Sequence, residues 1–354
     1  MLQDGLTRGC GKPDRPAAQT EDAALSTRIA KPLIKLVPFA ARLVGAVVAL
    51  SLLGLVYLAY FYLPFEDRSY RSPYLAQMAA RGADAYADAG DFRVHYVRAG
   101  KGTPVILLPG GGGWVYDLRD LIEVLATDHT VYAIDPPGSG YTRSLAKDPD
   151  YESLYTLQSV DRTLLAFMNR LGIQRASFVG NSWGGGYALY YAQKHPERVS
   201  KLVSLDGTGL KLPESWLWEL AKWPMIGEAV LKLTATPSFV RESLEHLHGG
   251  QTVTDEMVQE YFIPYAFRDN LVAQWVFERN LDWAVTDRLI ARMTTPMLII
   301  WGKEDDVLDP HLYIPRWRLL APKADVVEIE AAGHTPHNAQ PGKVGQIVRM
   351  FLRE

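Results

Sequence analysis

One cysteine, Cys10, is all that 354 residues contain, so the chain builds neither a disulfide framework nor a cysteine metal centre. An excess of one charge is also missing. A net charge of −3 offers no basic field to nucleic acid or another polyanion. The glycines form neither G-x-G-x-x-G nor a run ending in G-K-[ST], which argues against a dinucleotide or phosphate cradle. His334-Thr-Pro-His337 has no further ligand cluster to complete a metal site, and His95, His129, His195, His246, His248 and His311 read as surface or packing residues. No internal repeat is evident. What remains is a chain 48% hydrophobic, enough for one sizeable enzyme domain.

Charge is absent altogether from Leu43 to Leu63, a 21-residue run. At about 1.5 Å per residue it can span roughly 30 Å of hydrocarbon. Tyr57, Tyr60 and Tyr62 gather at its C-terminal end, where interface aromatics sit. A cleavable signal peptide is the alternative, but the preceding segment is long and no A-x-A site follows before Pro64-Phe-Glu-Asp67. Arg28, Lys31, Lys35 and Arg42 precede the run, whereas Glu66 and Asp67 follow it. That bias predicts an uncleaved single span with the N-terminus in the cytoplasm and the remainder on the periplasmic or extracellular side. Residues 1–30 are polar and read as disordered.

Beyond the run, 65–90 reads as a linker with a short helix, Tyr74 to Ala87. Strands are expected at Phe92–Val97, Pro104–Leu108, Thr130–Ile134, Ala176–Val179, Lys201–Leu205, Pro296–Gly302 and Ala324–Glu330. Helical stretches such as Ser159–Leu171 and Tyr187–Gln193 alternate with them. This order predicts an α/β domain with a mostly parallel sheet covered on both faces.

Gly180-Asn181-Ser182-Trp183-Gly184 falls between one such strand and one such helix. A serine on a sharp strand-to-helix turn projects Oγ toward the start of the helix, where free N–H groups favour developing negative charge. The plainer alternative is a Gly-rich turn with a capping serine. A serine hydroxyl needs a base, and the base needs an orienting group. Both candidates follow downstream. The buried run ending at Gly302 leads into Lys303-Glu304-Asp305-Asp306, and Gly333-His334 follows the last strand.

These segments, in this order, resemble the α/β-hydrolase fold superfamily over roughly residues 88–354. The resemblance implies Ser182 as nucleophile, His334 as general base then acid, and an acid in the Asp305-Asp306 pair. Its spacing favours Asp305, three residues after Gly302, with Asp306 as the alternative. Asp206 occupies the other position that some members use for the acid, though Asp206-Gly207 also reads as a strand-end turn. The oxyanion hole would come from Leu107-Leu-Pro-Gly-Gly-Gly-Gly-Trp114, where members usually carry His-Gly and this chain has Pro109-Gly110. Its donors would be the N–H of Gly111, or Gly112 in a shifted register, and that of Trp183.

From Gly207 to about Arg292 the alternation gives way to helical periodicity, which predicts an inserted lid. Trp216, Trp218, Trp223, Trp275 and Trp283 lie in it, with Tyr261, Phe262, Tyr265, Phe267 and Phe277. Most are expected to pack; some would line an apolar acyl pocket or touch the bilayer. The organisation expected is therefore a tail over 1–42, a transmembrane helix over 43–63 and a linker over 64–90. A hydrolase core over 91–206 and 293–354 with a lid over 207–292 completes it. The expected chemistry is hydrolysis of carboxylic esters of apolar acids through an acyl-enzyme, with no cofactor and no metal. The elbow and glycine loop also resemble C–C bond hydrolases of the ring-cleavage type, and a non-catalytic binding protein on the same fold is a third reading.

Overall fold

The structure, a computed structural model, describes residues 38–64, 69–213, 216–247 and 252–354. Most of the expected tail, the flanking Arg28, Lys31, Lys35, Glu66 and Asp67, and His248 lie outside the described residues. The chain divides into two units, 1–56 and 57–354. In the first, the described residues are helical and almost wholly exposed. They belong to α1, Pro38–Phe61, a 24-residue helix with an 18-residue window of mean hydropathy 2.3, long and apolar enough to cross a membrane. Proline at its first position is pre-set for a helix start, so α1 begins five residues before the charge-free run. It stops two residues short of Leu63. Its last turn, Tyr57–Phe61, is a π-turn closed by the Tyr62 N–H on the Tyr57 carbonyl at 2.8 Å, and Pro64 then blocks continuation.

In the second unit, α2 (Pro73–Ala80) is followed by β1 (Asp84–Ala89), β2 (Phe92–Ala99) and β3 (Thr103–Leu108). Then come α3 (Arg119–Leu125), β4 (His129–Ile134), the short β5 (Arg143–Ser144), α4 (Tyr151–Leu154) and α5 (Leu157–Arg170). The elbow joins β6 (Ala176–Asn181) to α6 (Trp183–Lys194), and β7 (Val199–Leu205) follows. Among the described residues, six α-helices precede the next strand: α7 (Trp216–Ala221), α8 (Ile226–Thr234), α9 (Pro237–Leu247), α10 (Asp255–Tyr265), α11 (Arg268–Asn280) and α12 (Ala284–Asp287). The chain closes with β8 (Met297–Gly302), α13 (Pro310–Leu320), β9 (Asp325–Ile329), α14 (Pro336–Ala339) and α15 (Pro341–Arg353).

The sheet runs β1-β2-β4-β3-β6-β7-β8-β9, with β5 on β2. It is parallel from β4 through β9 and antiparallel at the β1–β2 edge. Alternation divides the core. Ile106, Leu108, Phe178, Ile299 and Trp301 face a layer with α5 and α6, whereas Val105, Leu107, Val179, Leu298 and Ile300 face one with α3 and α15. Each such side chain taken out of water contributes about 1.5–3 kcal/mol. Two buried faces are why these strands read as continuous apolar runs.

One expectation fails at the sheet edge. Tyr74–Ala87 is not one helix, and the expected 64–90 linker contains a strand. Asp84-Ala-Tyr-Ala-Asp-Ala is Ala-rich, so local propensity favours helix. Pairing with β2 from Asp84↔Val97 to Ala89↔Phe92, through a turn with Gly90 at φ +60°, overrides it.

That edge carries a buried charge. His95 on β2 is fully enclosed, with Nδ1 2.6 Å from Asp135 Oδ2 and Nε2 2.8 Å from Asp84 Oδ1. Asp135 also accepts the N–H groups of Val115 and Tyr141, each at 2.8 Å, which fixes the loops after β3 and β4. Burial opposes the imidazolium, but the charges and hydrogen bonds of Asp135 and Asp84 prevail and raise its pKa to about 9. A raised pKa stabilises the fold fully below the unfolded value near 6.5 and loses that contribution as pH climbs to about 9. The full contribution is on the order of 3 kcal/mol. Denaturant unfolding of wild type and His95→Gln from pH 6 to 9.5 should show the stability gap shrinking as pH rises. A gap independent of pH would contradict a charged His95.

Candidate active site

Ser182 stands between β6 and α6 with φ +50° and ψ −121°. Such a conformation costs a non-glycine residue about 1–3 kcal/mol and needs surroundings that over-determine it. They do. The Ser182 N–H donates to the Leu205 carbonyl at 3.0 Å, and the Ser182 carbonyl accepts the N–H groups of Gly185 and Thr208, both at 3.0 Å, and Thr208 Oγ1 at 3.1 Å. The flanking glycines are required by space. A Cβ on Gly180 would lie 2.3 Å from the Gly184 backbone, and one on Gly184 would lie 2.4 Å from the Leu108 carbonyl oxygen.

Asn181 has a role that sequence reasoning did not assign. Its Nδ2 donates to the carbonyls of Leu205 at 3.0 Å and of His334 at 3.1 Å, tying the elbow to the histidine loop. The only available signal was a fully polar residue at the end of a buried strand. A second unassigned group is Asp117, which accepts from Asn338 Nδ2 at 2.6 Å and from the Tyr261 hydroxyl. It joins the stretch after the glycine loop to α10 and to the segment after His334. His337 lies in the same buried group, its Nε2 3.7 Å from Asp117 Oδ2.

His334 Nδ1 lies 2.9 Å from Asp305 Oδ2, and both residues are buried. Asp305 Oδ1 accepts the N–H groups of Val307 and Leu308 at 2.9 and 3.0 Å. Asp306 points outward instead and pairs with the exposed His246 of α9 at 2.7 Å. The carboxylate brought to the histidine is that of Asp305. Asp206, at φ +44°, is completely buried and accepts the Gly302 N–H at 2.8 Å. Burial first, and the neighbouring Asp305 second, push its pKa well above the usual carboxylate range.

Asp206, Asp305 and His334 offer ligand atoms within 4.8 Å of one another. The Asp305–His334 hydrogen bond and the Gly302–Asp206 hydrogen bond account for that clustering without an ion.

The glycine loop lies across the elbow. A Cβ on Gly110 would be 3.1 Å from Ser182 Cβ, and one on Gly111 would be 2.8 Å from the Trp183 indole. Gly112, at φ +73°, faces the Tyr265 ring and Gln274 Oε1. Trp183 opens α6, so its N–H has no intrahelical acceptor. Phe277 of α11 packs on Trp183 with ring centroids 5.7 Å apart. Polar neighbours of the loop are Asn181 Oδ1 beside Gly110, Gln274 Oε1 beside Gly112 and Asp117 Oδ2 beside Gly113. Among the insertion's other aromatics, Trp275, Trp283, Tyr261 and Phe262 are buried, whereas Trp216, Trp218 and Trp223 are exposed.

Residues 103–338, well over half of the chain, match the family described as alpha/beta hydrolase fold, and the chain belongs to that family. It is a hydrolase of that fold. It is 26% identical over 283 residues to the cis-3-alkyl-4-alkyloxetan-2-one decarboxylase of Shewanella oneidensis, spanning 74% of this chain and 86% of that protein. With the 2-hydroxy-6-oxo-6-phenylhexa-2,4-dienoate hydrolase of Comamonas testosteroni it shares 31% identity over 231 residues, 62% of this chain and 77% of that one. A crystal structure of a membrane phospholipase A, a bacterial virulence factor, superposes with a TM-score of 0.66 at 23% identity. It covers 88% of this chain and 98% of its own, a likeness of fold.

The two buried carboxyls should respond differently to amidation. Asp305→Asn should lower turnover by on the order of 10⁴-fold, because the histidine loses the acceptor that orients it. Asp206→Asn should leave turnover within about tenfold, since the His334 ring nitrogen pairs with Asp305 and not with Asp206. Equal losses in the two variants would move the orienting role to Asp206 or share it.

Proposed function

We propose that this chain is a serine hydrolase acting on carboxylic esters of apolar acids. His334 Nε2 takes the Ser182 hydroxyl proton while Nδ1–H donates to Asp305. Oγ attacks the ester carbonyl, and the N–H groups of Trp183 and Gly111, or Gly112 in the shifted register, receive the oxyanion. Collapse breaks the C–O bond as His334 returns the proton to the departing alcohol. Water, deprotonated by the same imidazole, then releases the acid and restores Ser182.

The observation that supports the ester reading is the set of aromatic rings beside Gly111 and Gly112, Trp183 and Tyr265, with Phe277 packed on Trp183 and Gln274 as a neutral polar neighbour. Such a set suits an acyl chain better than a carboxylate-bearing substrate. The helical lid is assigned to residues 207–292. Residues 43–63 would span the bilayer with the N-terminus in the cytoplasm, concentrating apolar esters near the site. C–C bond hydrolysis is the second reading, favoured by the 31% identity to the phenylhexadienoate hydrolase.

Ser182→Ala should abolish labelling by a fluorophosphonate probe while the variant stays folded; labelling that persists would remove Ser182 from the nucleophile's role. Rates on p-nitrophenyl esters of increasing acyl length should rise beyond acetate and exceed those on a 2-hydroxy-6-oxodienoate. The opposite preference would select the C–C reading.

The anchor has its own test. The full-length chain should resist alkaline carbonate extraction, and protease added on the non-cytoplasmic side should digest the catalytic unit. Release by carbonate would refute the span, and protection from protease would refute its orientation.

A further inference from the structure

α8 is an amphipathic helix turned the wrong way for water. Its charged residues Glu228 and Lys232 are buried, whereas Val230 and Leu233, one turn apart on its outer side, are exposed. The buried charges have partners. Glu228 pairs with Arg279 of α11 at 2.7 Å. Lys232 Nζ donates to the carbonyls of Ala59 at 2.6 Å and Leu58 at 3.3 Å, and lies 5.6 Å from the centroid of the Trp275 ring. The π-turn at Tyr57–Phe61 is the last turn of α1, where carbonyls lack helical donors, and Lys232 supplies them from the insertion.

α8 therefore packs against the end of the apolar helix, and α7 packs against α8. α7 and the turn after it expose Trp216, Trp218 and Trp223, at 70%, 42% and 57%. Tyr57, Tyr60, Phe61 and Leu63 are exposed on the π-turn and just after it. Indole and phenol rings beside aliphatic side chains are the composition that settles at the lipid headgroup level. A soluble surface rarely gathers so much exposed apolar area without a partner.

We propose that the outer faces of α7 and α8 lie in the interface of the same bilayer that α1 crosses. The helical insertion over the site is then held against the lipid rather than swinging on a tether. This rests on the reading of residues 43–63 as a membrane span. The occupant follows from covalent continuity. Where α1 leaves the hydrocarbon, Tyr57–Phe61 stand at the interface, and Lys232 fixes α8 to those carbonyls. A second copy of the chain would have no reason to meet the patch at that level.

The test uses the full chain in phosphatidylcholine nanodiscs, with or without bromine at the 6 and 7 positions of the acyl chains. Trp114, Trp275, Trp283, Trp301 and Trp317 are buried, so bromine should reach chiefly the three exposed indoles among nine tryptophans. Emission should fall by about a third, the share those three indoles make of the nine. Trp216→Phe, Trp218→Phe and Trp223→Phe together should remove most of that bromine-dependent loss. Incorporation into the nanodisc without quenching would overturn the docking while leaving the span and the esterase reading intact. A chain that fails to incorporate would overturn the span and the docking together, independently of any activity on esters.

Discussion

Backbone crowding at the turn between β6 and α6 is the constraint on which the rest of the site depends. Ser182 takes a conformation costing about 1–3 kcal/mol. It stays there because three neighbouring strands converge on it: β3 through the Leu108 carbonyl against Gly184, β6 through Gly180, and β7 through Leu205. Asn181 extends the same reference frame to the histidine loop. The elbow is thus the point from which the positions of the loop glycines and His334 are measured. Strain at one residue is offset by contacts distributed over elements far apart in sequence.

Electrostatics at the site follow from counting donors. Asp305 receives two backbone N–H groups and the His334 ring, while Asp206 receives the Gly302 N–H and lies beside the Asp305 carboxyl. Burial first and the neighbouring Asp305 second push the pKa of the Asp206 carboxyl well above the usual carboxylate range. A different arrangement appears at the sheet edge, where Asp84 and Asp135 flank His95 and the imidazole takes the proton. Both arrangements pair buried polar groups, and they differ in which partner makes charge tolerable.

The parallel core, the elbow and the Asp305–His334 pairing were legible in the sequence because each rests on local signals: continuous apolar runs, glycine spacing, a histidine directly after a strand-ending glycine. Spacing after Gly302 favoured Asp305 over Asp306 but left Asp306 as the alternative. Which one turns inward depends on the Val307 and Leu308 N–H groups closing around a carboxylate, a loop geometry that composition does not encode. Asp206-Gly207 was legible as a turn, and its φ of +44° agrees, but its raised pKa comes from burial in the folded core and from a carboxyl 99 positions away. β1 was hidden by alanine-rich composition. His95 read as surface or packing, since its two carboxylate partners come from other elements.

α8 illustrates a further limit on periodicity. The spacing of apolar and polar residues along a helix fixes which side chains share a face, but which face turns inward depends on where charges find partners. Here Lys232 finds the open carbonyls of a helix end and Glu228 finds Arg279, so the charged side turns inward. In water this orientation loses twice, burying two charges and exposing Val230 and Leu233. Beside a bilayer the second loss becomes a gain, because those side chains leave water for lipid. The end of an apolar helix long enough to cross a membrane, bonded to the inner side of α8, is the observation on which the bilayer is proposed as the cover for its apolar side.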